Sequence, residues 1–365
     1  MKRKRTKKKK SVVDQIVEHA EKPIKESILK PSMMLPTGST MLNLALSDMW
    51  SGGFMLGKMV NLIGDKGTGK SFLAHSCLAE AAHKKRFADY RLIHDDVEAA
   101  IEYDIRYLFG AKLAKRLEVE HSKTINDFQV GVWNRIEAEE PFVWVEDSFD
   151  GLTSDEEIER MVKRAKSVNA GKTEKGKGSW KTEKVRGFSE MLRLMIQGVA
   201  EVNGLLLIVS QVRENLTNMP FQPRYRRTGG KSLEHNETHE LWLAIVGKLR
   251  KTKGGPIIGV QCRVNVTKNR VTGKARSVDF PIYYDYGIDD VGSIIDWLTS
   301  ENSNKYWKKT SGRIKAKELD MEYKRDKLIR AIEEDGLEVD LRKVAQKAWD
   351  RVEEGLRLNR KRKYT

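Results

Sequence analysis

Four short stretches of the chain are centred on apolar residues, and each is short enough to be one buried strand. They cover residues 59–63, 90–95, 142–146 and 204–210, and segments with helical periodicity separate them. A strand covered on both faces is a continuous apolar run, and alternation with helices requires parallel pairing through crossovers. The pattern therefore predicts an α/β fold with a mostly parallel central sheet flanked by helices.

Helical periodicity also marks both ends of the chain. Residues 11–29 are typical of a short amphipathic helix, and residues 319–357 of a helical stretch near the C-terminus. No run approaches the eighteen apolar residues of a membrane span, and residues 1–10 lack the apolar segment of a secretory signal. Cys77 and Cys262 lie in apolar segments without neighbouring ligands, so we expect reduced core cysteines in a cytoplasmic protein and no zinc site.

The first apolar strand runs into a glycine-rich turn and then an amphipathic helix. This is the strand–GxxxxGK[ST]–helix pattern, in which backbone amides surround phosphate oxygens at a helix N-terminus. Lys70 is expected to reach the β- and γ-phosphates of ATP, and the Ser71 hydroxyl to bind Mg²⁺. The residues predicted to hold the nucleotide here are Gly64, Asp65, Lys66, Gly67, Thr68, Gly69, Lys70 and Ser71.

Carboxylates follow the second and third strands, at the edge of a parallel sheet where ligands bind. The third strand ends in Glu146 and Asp147, and Asp147 is predicted to hold Mg²⁺, in part through water. Asp95, Asp96 and Glu98 come at the end of the second strand. One of these three is expected to be the general base that orients the attacking water.

Two basic segments lie near this predicted edge. Gln211 follows the fourth strand, and residues 219–232 beyond it combine two prolines, two aromatic residues, four basic residues and a Gly-Gly pair. Prolines and glycines argue against regular structure there, and stacking aromatic residues among cations favour nucleic acid. Residues 163–187 contain nine basic residues against two acidic ones, with Trp180, and are predicted to follow a phosphate backbone.

Charge is concentrated at the two ends of the chain. The net charge is +16, and residues 1–10 carry eight basic residues while residues 357–365 carry five, without acids in either. Such tails are either solvated segments that aid solubility or arms that neutralise phosphates. Composition alone does not separate these two interpretations.

Several of these motifs together resemble bacterial and phage RecA-type homologous recombinases. "LPTGSTMLNLAL" followed by "GGFMLGKMVNLIGDKGTGKS" is similar to the segment with which the family's ATPase core begins. "DDVEAA", "VWVEDSFDGLTSDEEIE" and "LLLIVSQVREN…TGGKSLEHNETHELWL" resemble its catalytic, Walker B and second DNA-loop segments. The most specific likeness is "RVNVTKNRVTGKARSVDFPIYYDYGID", which is followed by an apolar helix. The resemblance spans roughly residues 33–300.

The resemblance assigns roles to single residues of the nucleotide site. It implies that Glu98, rather than Asp96, is the catalytic glutamate and that Gln211 senses the γ-phosphate. Glu102 matches a nucleotide-binding acid of the family. Ile105 stands where the family usually has a tyrosine that packs on adenine, with Tyr103 and Tyr107 nearby. The catalytic set is completed by Lys70 and by two residues that would reach the ATP of a neighbouring protomer, Lys268 and Arg270.

The resemblance also places both basic segments on DNA. Residues 163–187 correspond to the family's first DNA-binding loop, although they are longer and more basic than the usual loop. Residues 213–231 correspond to the second DNA-binding loop. The DNA-binding residues expected in the first are Lys172, Lys175, Lys177, Trp180 and Lys181. Those expected in the second are Arg213, Phe221, Arg224, Tyr225, Arg226, Arg227, Gly229, Gly230 and Lys231.

The family implies a RecA-like P-loop ATPase that uses ATP and Mg²⁺ and polymerises on single-stranded DNA to pair it with duplex. Its expected parts are an N-terminal arm and helix at 1–32 that contact the next protomer, a core at 33–300, and a small basic region at 301–365. A helical filament or a ring is the expected homo-oligomer, in a bacterial or phage-infected cell. The basic C-terminus, where the cellular family ends acidic, implies loss of autoinhibition and an added surface for duplex.

Two other functions fit some of these residues. A hexameric RecA-fold helicase would share the P-loop and the acids, yet it should carry a separate N-terminal domain, and only residues 1–32 precede the core here. A DNA-binding regulatory ATPase would share the same site without recombining DNA.

Overall fold

The computed structural model describes residues 29–99, 103–169, 182–214, 225–227, 230–358 and 360. The predicted helix at 11–29 lies outside these residues, except for Leu29. Within the described chain the fold contains a ten-stranded, a two-stranded and a three-stranded sheet. No helix in this part of the chain is long and apolar enough to cross a membrane.

Fifteen strands are formed by the described residues. In chain order they are β1 (Met34–Leu35), β2 (Phe54–Met55), β3 (Lys58–Gly64), β4 (Arg91–Asp96), β5 (Leu117–Glu120), β6 (Phe142–Asp147), β7 (Leu205–Glu214), β8 (Tyr225–Arg227), β9 (His239–Arg250), β10 (Ile257–Asn269), β11 (Arg276–Tyr283), β12 (Gly287–Ile288), β13 (Lys308–Thr310), β14 (Arg313–Ala316) and β15 (Met321–Lys324). The large sheet has the order β12-β11-β10-β9-β3-β7-β6-β4-β5, and β8 pairs with β7 beside this path.

The centre of the large sheet is parallel, as the apolar runs predict. Strands β5, β4, β6, β7, β3 and β9 pair in parallel, and antiparallel pairs extend the sheet from β9 through β12. The predicted α/β class with a mostly parallel central sheet is confirmed. Because parallel strands point the same way, the ends of β3, β4, β6 and β7 meet at one edge.

Ten α-helices accompany these strands in the part of the chain that the structure describes. They are α1 (Thr40–Ser47), α2 (Lys70–His83), α3 (Ile105–Arg116), α4 (Ile125–Glu137), α5 (Asp155–Asn169), α6 (Thr182–Glu201), α7 (Gly230–Asn236), α8 (Asp290–Thr299), α9 (Arg325–Glu334) and α10 (Glu338–Gly355). Helices α1, α2 and α8 contribute to one hydrophobic core, and α4 and α6 to a second one. Helix α3 is kinked at Gly110, which has non-helical backbone angles.

Helix α4 shows how local sequence and packing act together. Thr124 caps its N-terminus by accepting a hydrogen bond from the Asp127 amide, and the Asp127 side chain accepts one from the Thr124 amide in return. Ile125, Phe128 and Val132 recur at spacings of three and four, so they share one buried face. That face lies in the same core as the β6 side chains, which fixes the helix against the sheet.

The predicted helical stretch at 319–357 contains two helices, and it differs from the prediction at its beginning and in its middle. Its beginning is strand β15, which pairs with β14 because Met321 and Tyr323 alternate with charged residues and turn half-buried side chains to one face. Its middle is broken at Gly336, whose φ of 65° ends α9 before α10 begins.

The C-terminal region shares a hydrophobic core with the chain before residue 301. Buried side chains from β14, α9 and α10 belong to the same hydrophobic cluster as those of α1, α2 and α8. Trp349 of α10 donates a hydrogen bond from Nε1 to Asp48 Oδ1 (3.0 Å), just beyond α1. The predicted boundary at residue 301 therefore does not separate two hydrophobic cores.

Candidate nucleotide site and adjoining loops

The P-loop forms the predicted turn between β3 and α2. Gly67 and Gly69 have φ values of 75° and 93°, and Gly69 is the N-cap residue of the helix. These left-handed conformations favour glycine because a Cβ would be strained there. Nothing lies within 4 Å of the position that a Cβ on Gly67 would occupy, so the turn borders open space. Thr68 Oγ1 donates to the Asp65 carbonyl (2.8 Å) and closes the turn.

Lys70 is buried at the beginning of α2. Its Nζ donates to the Asp65 carbonyl oxygen at 2.8 Å, within the same loop. Burial lowers the pKa of Lys70, while the negative charges of Asp147, Asp65 and Glu98 oppose that shift. The ammonium group is thus held at the turn among carboxylates, where an additional anion such as a phosphate would offset its desolvation.

Asp147 and Ser71 are neighbours at the end of β6 and the start of α2. Burial raises the pKa of Asp147, and the hydrogen bond from the Ser71 side chain and the charge of Lys70 counteract this rise. A hydroxyl and a carboxylate are hard oxygen ligands that suit Mg²⁺, which keeps waters and phosphate oxygens as its remaining ligands. The described residues contain no cluster of three or more His, Cys, Asp or Glu for a metal held by protein alone. The residues present therefore fit Mg²⁺ bound together with a nucleotide.

Glu98 and Gln211 are in direct contact at the same edge. Glu98 Oε1 accepts hydrogen bonds from Ser148 Oγ (2.5 Å) and from Gln211 Nε2 (2.8 Å). The Gln211 backbone amide in turn donates to Asp150 Oδ2 (2.6 Å). Both Glu98 and Gln211 are exposed. The sheet register also places Gln211 beside the P-loop, because Gly64 of β3 is paired with Gln211 of β7.

The remaining acids of the edge are buried. Asp95 is fully buried and accepts a hydrogen bond from the Ser122 amide (2.7 Å), and Asp96 is 6% exposed. Glu146 lies opposite Asp95 in the β4–β6 register and accepts from Trp144 Nε1 (3.1 Å). Burial, together with the charge of Asp95, raises the pKa of Glu146 well above its usual range. Of the three candidates for the general base, Glu98 alone has an exposed carboxylate.

Lys268 and Arg270 lie beside the C-terminal end of α7, a contact that their sequence did not predict. Lys268 Nζ donates to the carbonyl of Glu234, and Arg270 Nη2 donates to the carbonyl of His235 (2.6 Å). The last carbonyls of a helix have no partner within the helix and carry partial negative charge, so cations are stabilised there. The two residues thus connect the β10 end to the helix that follows the second basic segment.

Part of the second basic segment is regular, contrary to the expectation of an irregular loop. β8 pairs antiparallel with the end of β7, so that Arg213 faces Arg226 in the register and Val212 faces Arg227. Tyr225 begins β8. β-Pairing extends β7 beyond the predicted apolar run because backbone hydrogen bonds do not depend on apolar side chains. Gly230 and Lys231 lie in the first turn of α7.

Several predicted residues fall outside the described chain. Among the nucleotide residues this applies to Glu102; among the DNA-binding residues it applies to Lys172, Lys175, Lys177, Trp180, Lys181, Phe221, Arg224 and Gly229. Ile105 is half-buried at the start of α3, and Tyr107 is 71% exposed on that helix. Tyr103 turns inward, and its hydroxyl lies 2.6 Å from Nδ1 of His75.

Comparisons with known proteins agree with this architecture. The sequence model of the RecA N-terminal domain matches residues 15–289. Protein RecA 2 of Myxococcus xanthus is 25% identical over 277 residues, which cover 76% of this chain and 70% of that protein. Protein RecA of Ehrlichia ruminantium (strain Gardel) is 28% identical over 274 residues, 75% of this chain and 70% of the relative. Because the family match covers most of its length, the chain belongs to the RecA family.

Proposed function

We propose that this chain is an ATP-dependent DNA recombinase that polymerises on single-stranded DNA and promotes homologous pairing and strand exchange. The observation that carries the proposal is the hydrogen bond from Gln211 to Glu98. It connects the exposed carboxylate of the site to β7, the strand that leads into the basic segment after Glu214. Such an enzyme would act in the cytoplasm of a bacterial or phage-infected cell.

In this function the P-loop binds ATP, and the edge carboxylate directs its hydrolysis. Lys70 contacts the β- and γ-phosphates from the turn in which it is already held. Mg²⁺ bound by Ser71 and Asp147 would neutralise charge on the transferring phosphoryl group. Glu98 accepts a proton from the attacking water and orients it, because its carboxylate is exposed beside the turn.

Gln211 couples the nucleotide to DNA. Its amide group has two N–H donors, and one of them contacts Glu98. A γ-phosphate at Lys70 offers this amide another acceptor, so the state of the nucleotide changes the position of Gln211. Since β7 continues from Gln211 to Glu214 and pairs there with β8, the change reaches the ends of the second DNA-binding loop.

DNA binding and oligomerisation complete the proposal. The basic segments 163–187 and 213–231 hold single-stranded DNA through phosphates and stacked bases, and the chain forms a helical filament. Lys268 and Arg270 act in trans on the ATP of the neighbouring protomer. The region 301–365 adds a basic surface for duplex DNA.

The test is DNA-dependent ATP hydrolysis by the full chain and by Glu98→Gln. We expect single-stranded DNA to stimulate wild-type hydrolysis, and Glu98→Gln to lower it by about 100- to 10,000-fold, the range of general-base catalysis. The variant should still bind ATP and single-stranded DNA, as measured by fluorescence anisotropy. Glu301→Gln, at a residue whose side chain is 80% exposed, is the control. Unchanged hydrolysis in Glu98→Gln, or no nucleotide binding by the wild type, contradicts the proposal.

A further inference from the structure

Strand β11 of the large sheet has an open edge along most of its length. Its last residues, Ile282 and Tyr283, pair with β12, whereas residues 276–281 pair only with β10 among the described residues. A groove of about 1030 Å³ follows this edge, and Ser277, Asp279 and Pro281 form part of its wall. A strand edge that borders a groove is a place where an extended chain can add a further strand.

The pairing pattern shows which backbone groups of β11 face the groove. The Pro281 carbonyl accepts a hydrogen bond from the Asp289 amide (3.1 Å), so it points away from β10. In an antiparallel ladder this direction alternates, so Asp279 and Ser277, two and four positions earlier, point their N–H and C=O groups the same way. No hydrogen bond joins these groups to a described residue on the side away from β10. Two donors and two acceptors therefore face the groove.

Helix α8 forms the opposite wall of the groove. Asp289, its N-cap residue, binds Pro281 near the end of β11. Near the other end of the helix, the Trp297 ring lies 5.6 Å from that of Trp349, which the guanidinium of Arg276 covers at 4.8 Å. Because Arg276 begins β11, the helix runs back along the strand and leaves the groove between them.

Apolar side chains line the groove and favour a peptide with a regular pattern. Met41, Trp297, Val352 and Leu356 all border it, and Leu356 is 72% exposed. An added strand would turn every second side chain to the same face. Apolar residues at alternate positions of the peptide would therefore cover these side chains.

Positive charge is concentrated at the end of the groove where β11 begins. Lys274 and Arg276 lie there and pair with Glu353 (2.6 and 2.5 Å), and Arg357 lines the groove four residues beyond this acid. Residues 357–365 contain five basic residues and no acidic one, and the whole chain has a net charge of +16. This charge disfavours the chain's own C-terminal end or a second copy as the occupant and favours an acidic partner.

We propose that the edge of β11 binds an extended peptide of a partner protein as an added antiparallel strand. The peptide has apolar residues at alternate positions and acidic residues at its C-terminal end, because an antiparallel strand ends where β11 begins. The Asp279 carboxylate does not compete for the edge, since Arg263 binds both of its oxygens (2.7 Å each) on the face of the sheet. This docking site is separate from the nucleotide site and from both basic segments.

A pair of synthetic peptides tests the proposed direction of binding. The probe is fluorescein-labelled Thr-Val-Thr-Val-Thr-Val-Asp-Asp, and its control has the same residues in reverse order. Fluorescence anisotropy with the full chain should show saturable binding of the first peptide, about 10-fold tighter than that of the second, because an ion pair with Arg357 contributes of this order when partly buried. Arg357→Glu should remove the difference. Absence of saturable binding, or equal affinity of the two peptides for the wild type, overturns the proposal.

A matched pair of variants tests the role of the strand edge. Ser277→Pro removes an N–H that faces the groove but takes no part in the pairing with β10, and Pro281 already occupies this edge. Ser277→Ala keeps the N–H. We expect Ser277→Pro to weaken binding of the first peptide by about 10-fold and Ser277→Ala to leave it unchanged. Equal affinity of the two folded variants contradicts an added strand.

Amide hydrogen exchange of the wild type decides the question even if Ser277→Pro does not fold. Measured by two-dimensional NMR on deuterated protein, exchange at Ser277 and Asp279 should slow when the peptide is added, because both amides gain an acceptor. Unchanged exchange at saturating peptide excludes strand addition. Protection of the same two amides without peptide, increasing with protein concentration, would identify a second copy as the occupant and equally overturn the proposal.

Discussion

His239 begins β9 and is fully buried in the core, beside the ring of Phe54 at 5.8 Å. Burial lowers the pKa of His239 to about 4. Between pH 6.5 and 4 the unfolded chain therefore binds a proton at this residue that the folded chain does not. The free energy of unfolding falls as the pH is lowered through this range.

We predict that His239→Leu has a less acid-sensitive fold than the wild type. In the wild type, this histidine lowers the free energy of unfolding by up to about 1.4 kcal/mol for each pH unit of acidification, or by about 3 kcal/mol between pH 6.5 and 4. This pH dependence is absent from the variant. Urea denaturation at several pH values between 7 and 4.5 measures the difference. His235→Leu, at an exposed residue, is the control. Parallel pH profiles of the wild type and His239→Leu would show that this histidine does not titrate as its burial implies.

Single residues of the site were predictable to the extent that their signal is local. The P-loop residues form a contiguous motif, and the structure places them in the expected turn. The choice of Glu98 among three acids required the resemblance, and burial of Asp95 and Asp96 now agrees with it. The contact between His75 and His94 was missed, because the two residues are joined by the packing of α2 on β4 and not by a sequence motif.

Helix α10 is attached to the core by a cluster of polar contacts around Arg276. Its Trp349 stacks 4.8 Å from the guanidinium of Arg276 and hydrogen-bonds to Asp48. Arg276 also pairs with Glu353 of the same helix (2.5 Å) and with Asp48 (2.7 Å). The ion pairs are partly buried, so α10 is attached by charge as well as by apolar area.

We predict that Trp349→Ala lowers the free energy of unfolding of the whole protein by about 3–5 kcal/mol, the usual cost of removing a buried aromatic side chain. Trp349→Phe keeps most of the ring but loses the hydrogen bond to Asp48, and should cost about 1 kcal/mol. Denaturation followed by far-ultraviolet circular dichroism should show one transition. A separate early transition of α10, with an unchanged main one, would mean that the C-terminal region folds on its own.

The sequence predicted those strands and helices whose burial leaves a clear apolar pattern. The apolar runs gave the central parallel strands, because these are covered on both faces. Strand β15 was missed because four residues with half-buried alternation resemble part of a helix until β14 is there to pair with them. The extension of β7 was missed for a similar reason, since the pairing of Arg213 with Arg226 adds no apolar signal.

In the whole assembly, the proposed filament requires protomers that complete one another's nucleotide sites. Lys268 and Arg270 lie on β10 and just after it, several strands along the sheet from the carboxylates proposed to be catalytic. In the single chain they bind the end of α7. A role in trans therefore predicts that two defective variants can form a working interface together.

We predict that Lys70→Ala and the double variant Lys268→Ala/Arg270→Ala are each inactive as DNA-dependent ATPases, and that mixing them restores part of the activity. In the mixture, the intact P-loop of the double variant meets the intact cations of a Lys70→Ala neighbour. Hydrolysis as a function of the mixing ratio should pass through a maximum. If the mixture shows no hydrolysis at any ratio, although both variants still assemble on single-stranded DNA, the role in trans is excluded.

The formation of joint molecules tests the proposed recombinase function. Labelled single-stranded DNA, the protein, ATP and Mg²⁺ are incubated with homologous or unrelated duplex, and the products are separated on a gel. A recombinase forms joint molecules with the homologous duplex only, and none when ATP is omitted. Strand separation that does not depend on homology would contradict this function and identify a helicase, and hydrolysis without either product would indicate a regulatory ATPase.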